Sequence, residues 1–173
     1  VITFDTTPRV NFTAKLGSGR AGAATALPPK AAGAYTDIGA ALDAALTRLE
    51  RADGAQVQTL FFLTDGKIDA PKSPYAQRGS VAWQALTQRA SELAASRSVS
   101  VYGAGLGSGA TDVDVVKDVF SNAQIVNLPA DQLGSFFRNA VQKARIEKLR
   151  QPVTQELARN VVQALVEPGP LDD

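Results

Sequence analysis

The 173 residues carry 18 basic and 17 acidic side chains, a net charge of +1, with 45% hydrophobic and 20% charged content. That is the balance of a single globular domain with one sizeable core, and it offers no bulk electrostatic case for nucleic acid or an acidic membrane surface. Cys and His are both absent, which excludes disulfides, zinc–thiolate sites and thiol nucleophiles and removes the commonest general base; any metal must be held by oxygen, as Mg²⁺, Mn²⁺ or Ca²⁺ are.

The chain opens at Val1, without a Met and inside an apolar run, which reads as a cut end. Residues 1–4 are a short strand candidate, closed by the turn-like Asp5-Thr6-Thr7-Pro8, and residues 9–15 (RVNFTAK) alternate as a half-exposed strand that could pair with the first. Residues 17–33 are rich in Gly, Ala and Pro and read as a long loop. Ile38, Ala41, Leu42, Ala45, Leu46 and Leu49 follow helical spacing, so residues 37–51 form an amphipathic helix with Thr36 at or beside its N-cap and Asp37 in its first turn. Residues 57–63 are an unalternating apolar strand, expected to be buried on both faces.

A polar loop follows over residues 69–79, and Ser80 caps a helix expected to turn Ala82, Ala85, Leu86, Leu93 and Ala94 inward. Trp83 beside them reads as core or rim. Residues 99–105 form another strand leading into a Gly-rich loop; Asp112 caps a short helix with Val115, Val116, Val119 and Phe120 on one side; residues 124–128 are a further strand. Asp131 opens a helix bearing Leu133, Phe136, Phe137, Ala140, Val141 and Ala144, read as a cover of the sheet. After Gln151-Pro152, a last helix carries Val153, Leu157, Val161 and Leu165 as a stripe at i, i+4 spacing. The alternation of strand and helix predicts an α/β fold, a doubly wound, mostly parallel open sheet with helices on both faces. Its expected extent is residues 1–148, with 149–173 a helical extension. No apolar stretch reaches the length of a membrane span.

Open parallel sheets bind ligands beyond the carboxyl ends of their strands. Asp65 in LFFLTDGK follows such a strand, and Thr36 stands where the preceding helix begins, so the two can meet as hard oxygen donors for Mg²⁺ with waters. A turn residue and a helix cap are the plain alternatives, since Asp-Gly is a common turn pair.

Thr36-Asp37-Ile38-Gly39-Ala40-Ala41-Leu42, followed by Thr64-Asp65-Gly66 at a strand end, resembles the von Willebrand factor A (VWA, integrin I-like) family. VITFD is similar to that family's second strand, SVSVYGAGLG to its fifth strand and glycine loop, and NAQIVNLPADQLGSFF to its last strand and helix, a likeness reaching from Val1 to Ala144. The resemblance implies a metal-ion-dependent adhesion site, with Thr36 as the second-loop Thr and Asp65 as the third-loop Asp. Asp37 and Asp69 are weaker candidates for the ligand rim. It implies Mg²⁺ (or Mn²⁺ or Ca²⁺) and a protein partner offering an acidic side chain, with no bond broken and hence no enzyme. The family's Asp-x-Ser-x-Ser loop occurs nowhere in the 173 residues. By order, it and the family's central first strand would precede Val1, and the metal reading is conditional on it.

Two alternatives stand beside this one. The first is a metal-free scaffold of the same kind, acting by surface contacts or through the stripe over residues 153–165. The second is a nucleotide-binding enzyme using Gly105-Leu106-Gly107-Ser108-Gly109-Ala110, which fits G-x-G-x-x-A, although the strand that follows offers no acidic residue for a ribose and no P-loop is present. Asp5, Asp65 and Asp69 could pair as catalytic carboxylates, and Ser73 or Ser108 could be nucleophiles, without a His to activate them.

Overall fold

The computed structural model describes residues 2–10, 35–52, 57–107 and 112–146. The expected loop over 17–33, most of the strand over 9–15, the tip of the Gly-rich loop and the helix over 153–165 lie outside the described residues. The chain divides into two compact units, Val1–Leu133 and Gly134–Asp173.

The first unit begins with β1 (Ile2–Thr3) and β2 (Arg9–Val10), an antiparallel pair with Ile2 opposite Val10 and Thr3 opposite Arg9. Asp5 shapes the turn between them: its carboxylate accepts from the Thr7 amide at 3.1 Å and from the Arg9 guanidinium at 2.9 Å. Helix α1 (Ile38–Glu50) buries Ile38, Ala41, Leu42, Ala45 and Leu46, the stripe its spacing predicts. The N-cap is Asp37 and not Thr36: its Oδ1 accepts from the Ala40 amide at 2.9 Å. At the other end, the carbonyl of Leu49 accepts from Gln58 Nε2 (2.8 Å) and Arg97 Nη1 (3.0 Å), and that of Ala52 from the same Arg97 nitrogen at 2.9 Å. These bonds help satisfy the Leu49 carbonyl, in the last helical turn, and the Ala52 carbonyl just beyond the helix.

Three parallel strands form the main sheet in the order β3 (Val57–Thr64), β4 (Ser98–Leu106), β5 (Gln124–Leu128). Helix α2 (Val81–Ser96) connects β3 to β4; a 3-10 turn (Val113–Val115) running into the short α3 (Val116–Val119) connects β4 to β5. The middle strand β4 is buried from Val99 to Gly105. β3 is different from its expectation of burial on both faces: Gln58, Phe62 and Thr64 are buried while Phe61 and Leu63 are half-buried. Among the described residues it pairs with β4 alone, so it is an edge strand there.

One core gathers Phe62, Val99 and Val101 from the sheet with Ile38, Leu42 and Leu46 of α1, Trp83, Leu86, Ala90 and Leu93 of α2, and Val116 and Val119 of α3. α1, α2 and α3 therefore lie on one face of the sheet. The result is a mixed α/β unit whose parallel sheet is flanked by helices. On the opposite face the rings of Phe61 and Tyr102 stack with centroids 5.6 Å apart. Ring stacking of Phe4 on Phe62, at 5.3 Å, ties the segment after β1 into the core. In α2 the inward positions are Trp83, Leu86, Ala90 and Leu93, whereas Ala85 and Ala94 are exposed. Small alanines do not decide which way a helix faces; an indole does. Ser80 stands at the N-cap of α2 but spends its hydroxyl on the Pro74 carbonyl at 3.0 Å.

α4 runs over residues 133–146; the 3-10 turn that enters it (Ala130–Gln132) and Leu133 belong to the first unit and the rest of the helix to the second. Its Phe136 and Phe137 rings meet edge to face at 5.8 Å. No helix among the described residues is long and apolar enough to cross a membrane.

Candidate functional site at the strand ends

Parallel pairing aligns Thr64 with Gly105 and Leu106 with Leu128, so the three strands finish at one end of the sheet. The N-terminus of α1 reaches the same end. Thr36, just before the Asp37 cap, exchanges two backbone hydrogen bonds with Asp69: Thr36 N–H to the Asp69 carbonyl at 3.2 Å and Asp69 N–H to the Thr36 carbonyl at 3.0 Å. The Asp37 amide donates to the Asp5 carbonyl at 2.8 Å, which ties the turn after β1 to the same place.

This bridge brings the two candidate ligands into one neighbourhood. A methyl group added at Gly66 would lie 2.9 Å from Thr36 Oγ1 and 3.5 Å from its Cβ, so the Thr36 hydroxyl sits directly against the backbone of the residue after Asp65. The Asp-Gly pair is thereby explained in a way that turn chemistry does not supply. Gly66 has no positive φ; what it provides is room for Thr36. Gly66→Ala should therefore leave the fold in place, with a small cost in stability, while displacing the Thr36 hydroxyl. Were Thr36 to take part in holding a cation, unfolding midpoints of this variant in EDTA and in Mg²⁺ would separate the two effects: a nearly unchanged EDTA midpoint and a reduced Mg²⁺ increment.

Asp65 is exposed at the strand end and Thr36 is half-buried beside it. Asp69 is exposed as well, in keeping with a place on a rim, whereas Asp37 takes another position: only 4% exposed, with its carboxylate used as the cap of α1. Asp5 is likewise buried and occupied with its own turn. On the far side of the loop stands Asp112. Its carboxylate makes no bond to the 3-10 turn it was expected to cap. Instead Oδ2 accepts from the Ile68 amide at 2.7 Å, and the Asp112 amide donates to the Gly66 carbonyl at 3.3 Å. Such a contact has no local signal, because the partners are 44 residues apart.

The G-x-G-x-x-A segment starts inside β4: Gly105 is a buried strand residue aligned with Thr64 and Asn127. A cleft of about 490 Å³ lies elsewhere, between Arg78, Trp83, Gln84 and Asp118, and the Arg78 guanidinium there is engaged by Asp118 and Asp114. These carboxylates push the Arg78 pKa further up. Among the described residues no three or more acidic side chains gather as a metal-binding group. The candidates at the strand ends, Asp65 and Thr36, offer one carboxylate and one hydroxyl. Mg²⁺ keeps several waters and takes only one or two protein carboxylates, so that pair fits it. No family model, curated protein or solved structure matches the chain.

Proposed function

We propose that this chain is a VWA-like binding module that holds a divalent cation at the carboxyl ends of its parallel strands and uses it to bind a protein partner. The carrying observation is the placement of the Thr36 hydroxyl against Gly66, next to the exposed Asp65, at the end of β3. In this reading Thr36 and Asp65 hold Mg²⁺, with Mn²⁺ or Ca²⁺ as alternatives, directly or through water. Asp69 contributes to the rim. The cation, when bound, supplies a positive charge that a carboxylate of the partner can ligate; no bond in the partner is broken. Thr36 orients its hydroxyl toward the ion because its backbone is pinned to Asp69, and Asp65 supplies the negative charge that makes a cation welcome.

The three parallel strands are then one wing of a doubly wound sheet and the β1–β2 pair belongs to the other. The reading also calls for an Asp-x-Ser-x-Ser donor loop, which these 173 residues do not contain. A net charge of +1 is consistent with a protein partner and gives no support to nucleic acid.

Thermal unfolding in EDTA, then with Mg²⁺ or Mn²⁺, should show a metal-dependent rise in the midpoint. A cation at one hundred times its Kd stabilises by about 2.7 kcal/mol. Asp65→Ala should remove that increment, and Thr36→Val, which keeps the shape and deletes the hydroxyl, should reduce it. Identical curves with and without metal for the wild type would sink the cation site and leave a metal-free scaffold.

A further inference from the structure

We infer that Asp112 is the positioning residue of the strand-end site, setting the height and direction of the loop that carries Asp65. This rests on the reading of Thr36 and Asp65 as the cation-binding pair. The loop after β3 is gripped from two sides. On one flank Thr36 and Asp69 exchange their backbone bonds, at 3.2 and 3.0 Å. On the other, Asp112 grips two alternate residues, taking the Ile68 amide on its carboxylate at 2.7 Å and giving its own amide to the Gly66 carbonyl at 3.3 Å. Asp65, one residue before Gly66, emerges exposed from the end of this clamped segment.

The bond to Ile68 is charge-assisted, a carboxylate accepting from a backbone N–H, and so belongs to the stronger kind. Its geometry is referenced to the core and not to the loop. Immediately after Asp112 come Val113, Val115 and Val116, all at 0% exposure. Three fully buried valines leave the Asp112 backbone little freedom, and the carboxylate transmits that fixity to Ile68. A residue placed to cap its own 3-10 turn, and making no such cap bond, serves the neighbouring loop.

Residues that orient a metal's ligands without touching the ion typically change metal affinity by about 10–100-fold when removed. The test is Mg²⁺ affinity, by calorimetry on the intact protein, for wild type, Asp112→Ala and Asp112→Asn, together with hydrogen exchange of the Ile68 amide in the metal-free state. Asp112→Ala should weaken Mg²⁺ binding about tenfold or more and speed Ile68 exchange. Asp112→Asn retains an oxygen acceptor, in a weaker neutral bond, and should recover most of both losses. Should the alanine variant not fold, Asp112→Ser, too short to reach Ile68, takes its place. Wild-type affinity in the alanine or serine variant overturns the positioning role while leaving the cation site standing. Equal weakening by Asn and Ala overturns it too, because charge and not placement would then be the contribution. A wild type that binds no Mg²⁺ fells the cation reading itself, and the role of Asp112 with it.

Discussion

Trp83→Ala is expected to cost about 3–5 kcal/mol, the range for truncating a buried Trp or Phe side chain. The indole is 3% exposed and sits among Leu86, Ala90 and Leu93 of its own helix and the apolar side chains of α1 and α3. Its Nε1 donates to the Tyr75 carbonyl at 2.9 Å, and the two rings meet edge to face at 5.7 Å. Three losses combine: the transfer free energy of the ring, the cavity it leaves, and the anchor of the loop before α2. Trp83→Phe should recover much of the first two and none of the hydrogen bond, so it should fall between. Urea unfolding followed by far-UV circular dichroism reads both, since Trp83 is the sole Trp and its fluorescence disappears with it. A midpoint within 1 M urea of wild type for the alanine variant, with an unchanged slope, would contradict the core assignment, given slopes of about 1–3 kcal/mol per M.

The alternation of elements was readable because each carries its own period. α1 has apolar residues at i, i+3 and i+4, β4 is a β-branched and aromatic stretch (SVSVYGAGL) leading into glycines, and both fell where the pattern placed them. Thr36, expected at or beside the cap of α1, stands beside it and Asp37 is the cap; Thr and Asp are both good N-caps, and spacing alone does not choose between neighbours. Nor does periodicity say on which face of a sheet a helix will lie. α1, α2 and α3 share one face through a core built from residues far apart in the chain, which alternation of strands and helices does not foretell. β3 looked buried on both faces because Leu60, Phe61, Phe62 and Leu63 are all apolar, yet only Phe62 of these is buried and the other three are half-buried; among the described residues β3 has a strand neighbour on one side alone.

The strand-end site was legible in part for the same reason. Thr36 and Asp65 each stand at an element boundary that the pattern could locate, and the topology of an open sheet puts such boundaries at one end. What holds them there was not legible. The Thr36–Asp69 bridge, the close approach of Thr36 to Gly66 and the reach of Asp112 to Ile68 are tertiary interactions. Asp37 presents the same side chain as Asp65 and Asp69, but is buried under its helix cap. Residue type cannot separate a carboxylate that caps from one that is free to meet an ion; only burial does.

Gly39→Ala is the second substitution with a large expected effect, and it runs against helix propensity. Ala is favoured over Gly inside a helix by about 1 kcal/mol, and Gly39 lies in the first turn of α1. Space decides the other way. A methyl group on Gly39 would lie 2.2 Å from Tyr75 Cβ and 2.3 Å from its Cγ. Those atoms are the root of the side chain, so no rotamer change removes the clash; the loop itself must move. Tyr75 is poorly able to do so: its carbonyl holds Trp83, its amide donates to Ser73 Oγ at 3.0 Å, and its ring packs against the core. Burial, with the neighbouring Asp43 carboxylate, pushes its phenol up to about 12, so it stays neutral across the physiological range and packs as an uncharged ring. Overpacking of this kind costs about 1–3 kcal/mol, occasionally more, and the helix gain offsets only part of it. Displacing Tyr75 also loosens Trp83, so the double variant Gly39→Ala/Trp83→Ala should lose less than the sum of the two single losses, as contacting residues do. Strict additivity in that cycle would mean that Gly39 and Trp83 act on separate parts of the core, and that Tyr75 is not the link between α1 and α2.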